Sequence, residues 1–361
     1  MNILGISAGY HDAAVTVINP QGEILFAGHA ERYSKKKNDS ELHPDLLMDA
    51  WRMGDIGHVA YYERPWLKQL RRWRSGEGIE WDQLTVRQIL NKQLGPAVWP
   101  KITTHNHHLS HAAAGFQTSP YDRATVVVID AIGEFDTVSI WGAEYDAQGQ
   151  AQYTRLWGQK YPHSIGLFYS AITQRVGLHP LDEEYITMGM AGWGQSSWAA
   201  KMSDDLIADY AEVQFKHNLH IGLDSTWLDR ARDVDIAASA QFITEGLITE
   251  VMARARGFNW SNNLVYMGGV ALNCLANRHL GEYFDNIWIM PCPGDAGSSL
   301  GGAALAWGKK VNWTGAYLGR NINGPYPVNQ LLDHLIRDRI VGVASGRAEF
   351  GPRALGNRSL L

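Results

Sequence analysis

The hydrophobic pattern opens with β-rich segments, Asn2–Ser7, Ala13–Ile18 and Ile24–Ala30, alternating with the turn residues Gly9-Tyr10-His11-Asp12 and Pro20-Gln21-Gly22. Short β-rich runs broken by turn residues predict a β-meander. The pattern returns at Thr125–Asp130, followed by Gly133-Glu134 and then Asp136–Gly142. A repeated strand, acidic turn and strand predicts duplicated lobes facing one cleft, each presenting a turn to a phosphate-bearing ligand. Between the two patterns, Glu63–Pro100 is rich in Trp, Arg and Lys, contains one helical stretch near Leu84–Leu94, and reads as an insertion.

The second half is expected to begin near Tyr161 with a helix over Ile165–Val176. Helical spacing of Ile236, Ala240, Ile243, Leu247 and Val251 predicts a long helix over about Asp235–Arg256, with that face as core and Gly257 as a stop. Asn263–Met267 reads as a strand, Gly268-Gly269 as a tight turn and Ala271–Leu280 as a helix, a strand-turn-helix unit opening toward a ligand. A strand at Asn286–Ile289 leads through Pro293-Gly294-Asp295-Ala296-Gly297 into a helix over Ser298–Trp307. Its small residues permit either close helix packing or close approach of a ligand to the backbone.

Composition narrows the setting. A chain of 361 residues is long for one core and is expected to fold as two lobes with the start of a third domain. No apolar run reaches the roughly 18 residues of a membrane span, and the N-terminus lacks the pattern of a signal peptide, so a cytoplasmic protein without a membrane partner is expected. Two cysteines, Cys274 and Cys292, argue against a disulfide framework or a thiolate cluster, which leaves His and carboxylates as metal ligands. A net charge of -5 offers no footprint for nucleic acid, and Arg71-Arg72-Trp73-Arg74 is only a local basic run. Fourteen tryptophans leave room for an apolar interface in a homo-oligomer.

The sharpest chemical signal is His105-Asn106-His107-His108-Leu109-Ser110-His111. His107 and His111 stand four apart, so on a helix both imidazoles project from one face and can bite one divalent ion. A cluster of satisfied or solvent-facing histidines has the same spacing. Here acidic partners are available in Asp130 and Asp295, and two His with one or two carboxylates suit Fe(II) or another divalent first-row metal acting as Lewis acid. On the first turn His11 can accept a proton near neutrality, while a turn-stabilising His11–Asp12 pair is the plainer alternative. Gly268-Gly269 taken with Gly294–Ser298 reads as a nucleotide floor, and Arg347, Arg353 and Arg358, spaced among glycines, suit phosphate or carboxylate capture. Glu31–Lys37 is either an acceptor or phosphate patch or a solvated basic loop.

Taken together, Leu4–Ser7 with His11–Ala14, His107–Ala113, Gly166–Ser170, Met188–Ala191, Gly268–Asn273, Gly294–Gly297 and Glu349–Ser359 resemble the NodU/CmcH O-carbamoyltransferase family over nearly the whole chain. The resemblance implies an α/β fold of actin/hexokinase-like, duplicated ribonuclease-H-like lobes followed by a YrdC-like domain. The divisions are 1–160 with insertion 63–100, 161–338 with the nucleotide floor, and 339–361 as the start of the YrdC-like domain. It implies transfer of a carbamoyl group from carbamoyl-adenylate, made from carbamoyl phosphate and ATP, to a hydroxyl of a small-molecule acceptor. It puts the metal on His107, His111, Asp130 and Asp295, the adenylate over Gly133, Glu134, Gly268, Gly269 and Asn273, and a catalytic histidine at His11 beside Asp12. Because Leu361 follows directly on the arginine-glycine motif, the rest of the YrdC-like domain is expected either to be lost by truncation or to be supplied by a separate chain. Other readings on the same fold are threonylcarbamoyl transfer to tRNA, which would call for a basic face, a sugar or acetate kinase, which would leave the histidine pair unexplained, and a nucleotide-binding remnant without turnover.

Overall fold

The computed structural model describes residues 1–361. Its first sheet begins with the expected meander, β1 (Asn2–Ser7), β2 (Ala14–Ile18) and β3 (Ile24–His29), joined antiparallel. After α1 (Glu31–Ser34) and α2 (Pro44–Trp51), strand β4 (Ile56–Tyr61) adds parallel to β1. Helices α3 (Pro65–Arg74) and α4 (Val86–Leu94) then carry the chain to β5 (Lys101–Thr104), parallel to β4. The sheet order is β3-β2-β1-β4-β5.

Helix α5 (His107–Thr118) leads into a second sheet, in which β6 (Arg123–Ile129), β7 (Asp136–Tyr145) and β8 (Ala151–Lys160) repeat the meander. A helical stretch follows: α6 (Ile165–Arg175), α7 (Glu184–Ala191), α8 (Ala199–Leu206), a small hairpin of β9 (Ile207–Asp209) and β10 (Gln214–Phe215), and α9 (Asp233–Gly257). Strand β11 (Asn263–Met267) then adds parallel to β6, and β12 (Asn286–Trp288), past α10 (Cys274–Asn277), parallel to β11. The order β12-β11-β6-β7-β8 traces the same path as the first sheet. This is the expected α/β architecture of duplicated ribonuclease-H-like lobes in an actin/hexokinase-like pair. No helix is long and apolar enough to cross a membrane.

Several boundaries differ from expectation, each for a local reason. Glu63–Pro100 forms most of the crossover between parallel β4 and β5, which cannot be joined by a tight turn. Strand β4, Ile56-Gly57-His58-Val59-Ala60-Tyr61, lacks strict alternation because its last three residues are all buried. The expected division at 160 runs through the second lobe, since β6–β8 belong to the sheet of β11 and β12. The expected helix over Ala271–Leu280 is broken into a turn over Gly269–Leu272 and the short α10, because Asn273 caps the latter by accepting from the Ala276 amide at 3.1 Å.

The face of α9 expected as core is buried in the second lobe, at Ile236, Ala240, Ile243, Leu247 and Val251. The small residues of α11 (Ser298–Trp307) serve close packing: a Cβ on Gly301 would lie 1.8 Å from the carbonyl oxygen of Ser110 on α5, and a Cβ on Gly5 of β1 would lie 1.9 Å from that of Ser299. Beyond α11, β13 (Tyr317–Ile322) pairs with β15 (Gly346–Glu349), and α12 (Val328–Asp338) precedes β14 (Gly342–Ala344), which pairs with β16 (Arg358–Leu360). The expected start of the last domain at 339 therefore falls inside a small unit that begins with β13. That unit is pinned to the first lobe. Phe350 is fully buried, the Gly351 amide donates to His29 Nε2 at 3.0 Å, and Arg32 donates to the Gly351 carbonyl at 2.9 Å.

Gly301→Ala should lower stability by about 1–3 kcal/mol, the usual cost of overpacking, because α5 and α11 must move apart. A melting temperature equal to that of the parent would contradict this packing. Burial, followed by the charge of Arg32, holds His29 down at about 4. The unfolded imidazole takes up a proton below its ordinary 6.5 while the folded one does not. The stabilisation from this docking is thus complete above pH 6.5 and is lost as pH falls toward and through 4. The protection factor of the Gly351 amide should fall over that window, and in His29→Gln, whose amide oxygen still accepts, it should stay level.

Candidate metal centre and cleft

Asn106 sets the register of α5: its side-chain oxygen accepts from the Leu109 amide at 3.0 Å and starts the helix at His107. The helical period then puts His107 and His111 on one face. Asp130 stands just past the end of β6, and Asp295 in the turn before α11. His107 Nε2 lies 3.1 Å from Asp130 Oδ2 and 3.4 Å from Asp295 Oδ1. His111 Nε2 lies 3.2 Å from each of the same two oxygens. All four side chains are buried, and one donor atom from each falls within 4.8 Å of the others.

Chemistry fixes how the rings are protonated. A carbonyl oxygen only accepts, so His111 Nδ1, 3.0 Å from the Pro293 carbonyl, carries a hydrogen, and its Nε2 faces the carboxylates, to which it donates when the ring is charged and from which it is freed to bind a cation when the proton leaves. Burial alone would keep every one of these groups neutral. For His107 and His111 that push is overcome by Asp295 and Asp130, and both imidazoles are raised. For Asp130 and Asp295 it is overcome by the imidazoles, and both carboxyls are lowered. Protons thus act as counter-charge between two buried acids. Two imidazole nitrogens and two carboxylate oxygens, each able to exchange a proton for a cation, fit a divalent metal ion.

At the edge of this cluster, the β1–β2 turn brings in His11 and Asp12. His11 Nδ1 is 3.0 Å from Asp12 Oδ2, and His11 Nε2 is 3.7 Å from Asp295 Oδ2. The near-neutral imidazole expected at His11 is corrected here: burial pushes it down, but Asp295 and Asp12 together raise it to about 9. The carboxylates of the cluster, Asp130 and Asp295, line a cleft between the lobes, about 1200 Å³ counting its open mouth, and the two histidines lie behind them. His11, Asp12, His29, Glu31 and Lys37 line the first-lobe side. The second lobe contributes Tyr169, Gly269 and Asn273.

The remaining sequence candidates divide. Gly268 has φ of +92°, and a Cβ there would lie 2.1 Å from the Ile129 carbonyl oxygen, so only glycine makes this turn. The Gly269 amide donates to Asp130 Oδ1 at 3.2 Å, and the Asn273 amide trades two hydrogen bonds of 3.0 Å with Gln241. Gly133 and Glu134 stand apart from the cleft. Glu134 accepts from the Arg64 amide, the Asn106 side chain and the His107 amide at 2.9, 2.7 and 3.2 Å, and so secures the start of α5. Burial raises its carboxyl to about 7. Of the three arginines, only Arg353 lines the cleft, 5.4 Å from the Tyr185 ring. Arg347 donates to the carbonyls of Leu25, Leu318 and Gly319, and Arg358 pairs with Glu349 at 2.8 Å; both shape the loop.

Sequence reasoning passed over Glu63, Tyr169 and Tyr185. Glu63 follows an apolar run at the carboxyl end of a parallel strand, the place where open α/β sheets bind ligands, and that signal was available.

A family model described as Carbamoyltransferase N-terminus matches residues 79–305, and one described as Carbamoyltransferase C-terminus matches 332–361. An uncharacterized protein of Synechocystis sp. is 31% identical, the alignment covering 100% of this chain and 71% of the relative. Nodulation protein NolNO of Sinorhizobium fredii is 26% identical over 97% of this chain and 58% of its own length. The 3'-hydroxymethylcephem-O-carbamoyltransferase of Amycolatopsis lactamdurans is 25% identical over 97% and 71%. The chain thus spans between about half and three quarters of the length of these relatives.

From the geometry, one divalent ion per chain is expected, with His107→Ala and His111→Ala each losing most of it. Elemental analysis that finds the double variant fully loaded would overturn the assignment.

Proposed function

The chain belongs to the NodU/CmcH carbamoyltransferase family, and from that premise we propose that it transfers a carbamoyl group from carbamoyl-adenylate, made from carbamoyl phosphate and ATP, to a hydroxyl of a small-molecule acceptor. The observation that carries this reading is the buried cluster of two imidazoles and two carboxylates whose acids reach the wall of an inter-lobe cleft, with His11 at its rim. His107, His111, Asp130 and Asp295 would hold Fe(II) or another divalent ion, which supplies Lewis-acid polarisation of the carbamoyl carbonyl when bound.

The chain's own groups supply the rest. The acceptor oxygen bonds to the carbamoyl carbon, the bond from that carbon to the adenylate oxygen breaks, and AMP leaves with the electron pair. His11 takes the acceptor proton. Asp12 on Nδ1 holds the ring with Nε2 toward Asp295. The charge on Asp295 that raises His11 is the charge a cation neutralises, and once it is neutralised burial favours the unprotonated ring. Gly269 and Asn273 would form the floor for the adenylate, and Arg353, which lines the same cleft, would meet its phosphate. Gly133 and Glu134 act on this site through α5.

His11→Asn should bind metal and adenylate as the parent does but slow AMP release about a hundredfold or more, the usual range for loss of a general base. The measurement uses synthetic carbamoyl-adenylate with a panel of hydroxylated small molecules. An equal fall in adenylate affinity would make His11 a nucleotide-positioning group instead.

A further inference from the structure

The ring of His107 has a second face. Its Nδ1 is buried without a hydrogen-bond partner, and the acid nearest to it is Glu63 Oε2 at 3.7 Å. The other oxygen of Glu63 accepts from Lys68 Nζ at 3.0 Å. Lys68 in turn donates to the Gly9 carbonyl at 3.1 Å and lies 5.2 Å from the centre of the Tyr10 ring. Glu63 and Lys68 are both buried, 3% and 7% exposed. One buried ion pair therefore touches the back of His107 and the turn that carries His11.

Such a pair is poor value for stability alone, because the cost of taking both charges out of water offsets most of their attraction. Its geometry has a use. Metal-binding histidines hand their outer N–H to a carbonyl or carboxylate, which fixes the ring and raises its basicity. His111 has the Pro293 carbonyl in that place. His107 has only Glu63 on its outer side. A small cavity lined by Tyr10, Tyr62, Glu63, Lys68, Arg71 and His107 adjoins both side chains.

We infer that Glu63 is a positioning residue for the metal centre, accepting from His107 Nδ1–H, and that Lys68 holds Glu63 and the His11-bearing turn in one register. This rests on the metal reading of the four-residue cluster. It assigns a role to a part of the β4–β5 crossover that the transfer chemistry leaves unused, and it links the two halves of the site through protein.

The test uses the full chain loaded with Co(II), whose visible band reports ligand geometry, and a competing chelator to read affinity. Glu63→Leu with Lys68→Met removes the acceptor and both charges together, leaving no unpaired charge behind. The expected result is a weakening of Co(II) binding by about 10–100-fold and a shifted band, in a protein that still unfolds cooperatively. Glu63→Asp keeps the ion pair but withdraws the carboxylate by one methylene, and should weaken binding in the same direction by less. Unchanged affinity and band in either folded variant would overturn the inference. Retention of Co(II) by the His107→Ala, His111→Ala double variant would instead sink the metal reading itself, so the two failures are distinguishable.

Discussion

Two carboxylates, Asp130 and Asp295, are buried side by side, and they cannot both be ionised there without positive charge between them. That electrostatic constraint organises the molecule. Asp130 is delivered by the central strand of the second sheet and Asp295 by the turn that enters α11, a helix packed on β1 of the first. The imidazoles come from α5, the helix that joins the two sheets. The charges are thus brought together at the junction of the lobes, where small displacements of either lobe alter their spacing.

Close packing keeps those displacements small. Glycine at 301 lets α11 approach the backbone of α5 at Ser110, between the two histidines, and glycine at 268 lets the β11 turn approach the end of β6 beside Asp130. Neither position tolerates a Cβ without backbone movement. The precision of the polar cluster is therefore set by apolar and backbone contacts around it, which are stiff because protein interiors are packed as densely as crystals. The C-terminal unit enters the same framework through Phe350, His29 and Arg32, and that docking is what carries Arg353 to the cleft.

Family membership and the geometry reinforce each other at the level of chemistry. A carbamoyl carbonyl needs an electrophilic partner, a leaving group that can be held, and a base for the incoming hydroxyl. In the proposed reaction, the cluster of imidazoles and acids, Gly269 with Asn273, and His11 would supply groups of these three kinds around one cleft.

Much of this was readable in sequence because it is local. β-rich runs between turn residues gave the first meander and the β6–β7 pair of the second, though not β8; the four-residue spacing put His107 and His111 on one helical face, and the apolar stripe of α9 marked its buried side. These depend on the repeat of the backbone and on nothing distant. Asp130 and Asp295 were available as acids in the chain, yet only the packing of α11 against α5 and β1 decided that both reach the same histidines. The β4–β5 pairing was hidden, since parallel pairing joins strands far apart in sequence and leaves no turn signal between them, although Glu63 at the end of its apolar run could have been singled out. The proton affinity of His11 was also beyond a sequence reading, because it is governed by Asp295, 284 residues away. Sequence by itself determined which side chains share a face. Tertiary structure decided which charges share a site, because Coulomb interactions depend on distance in space and on the water excluded around them.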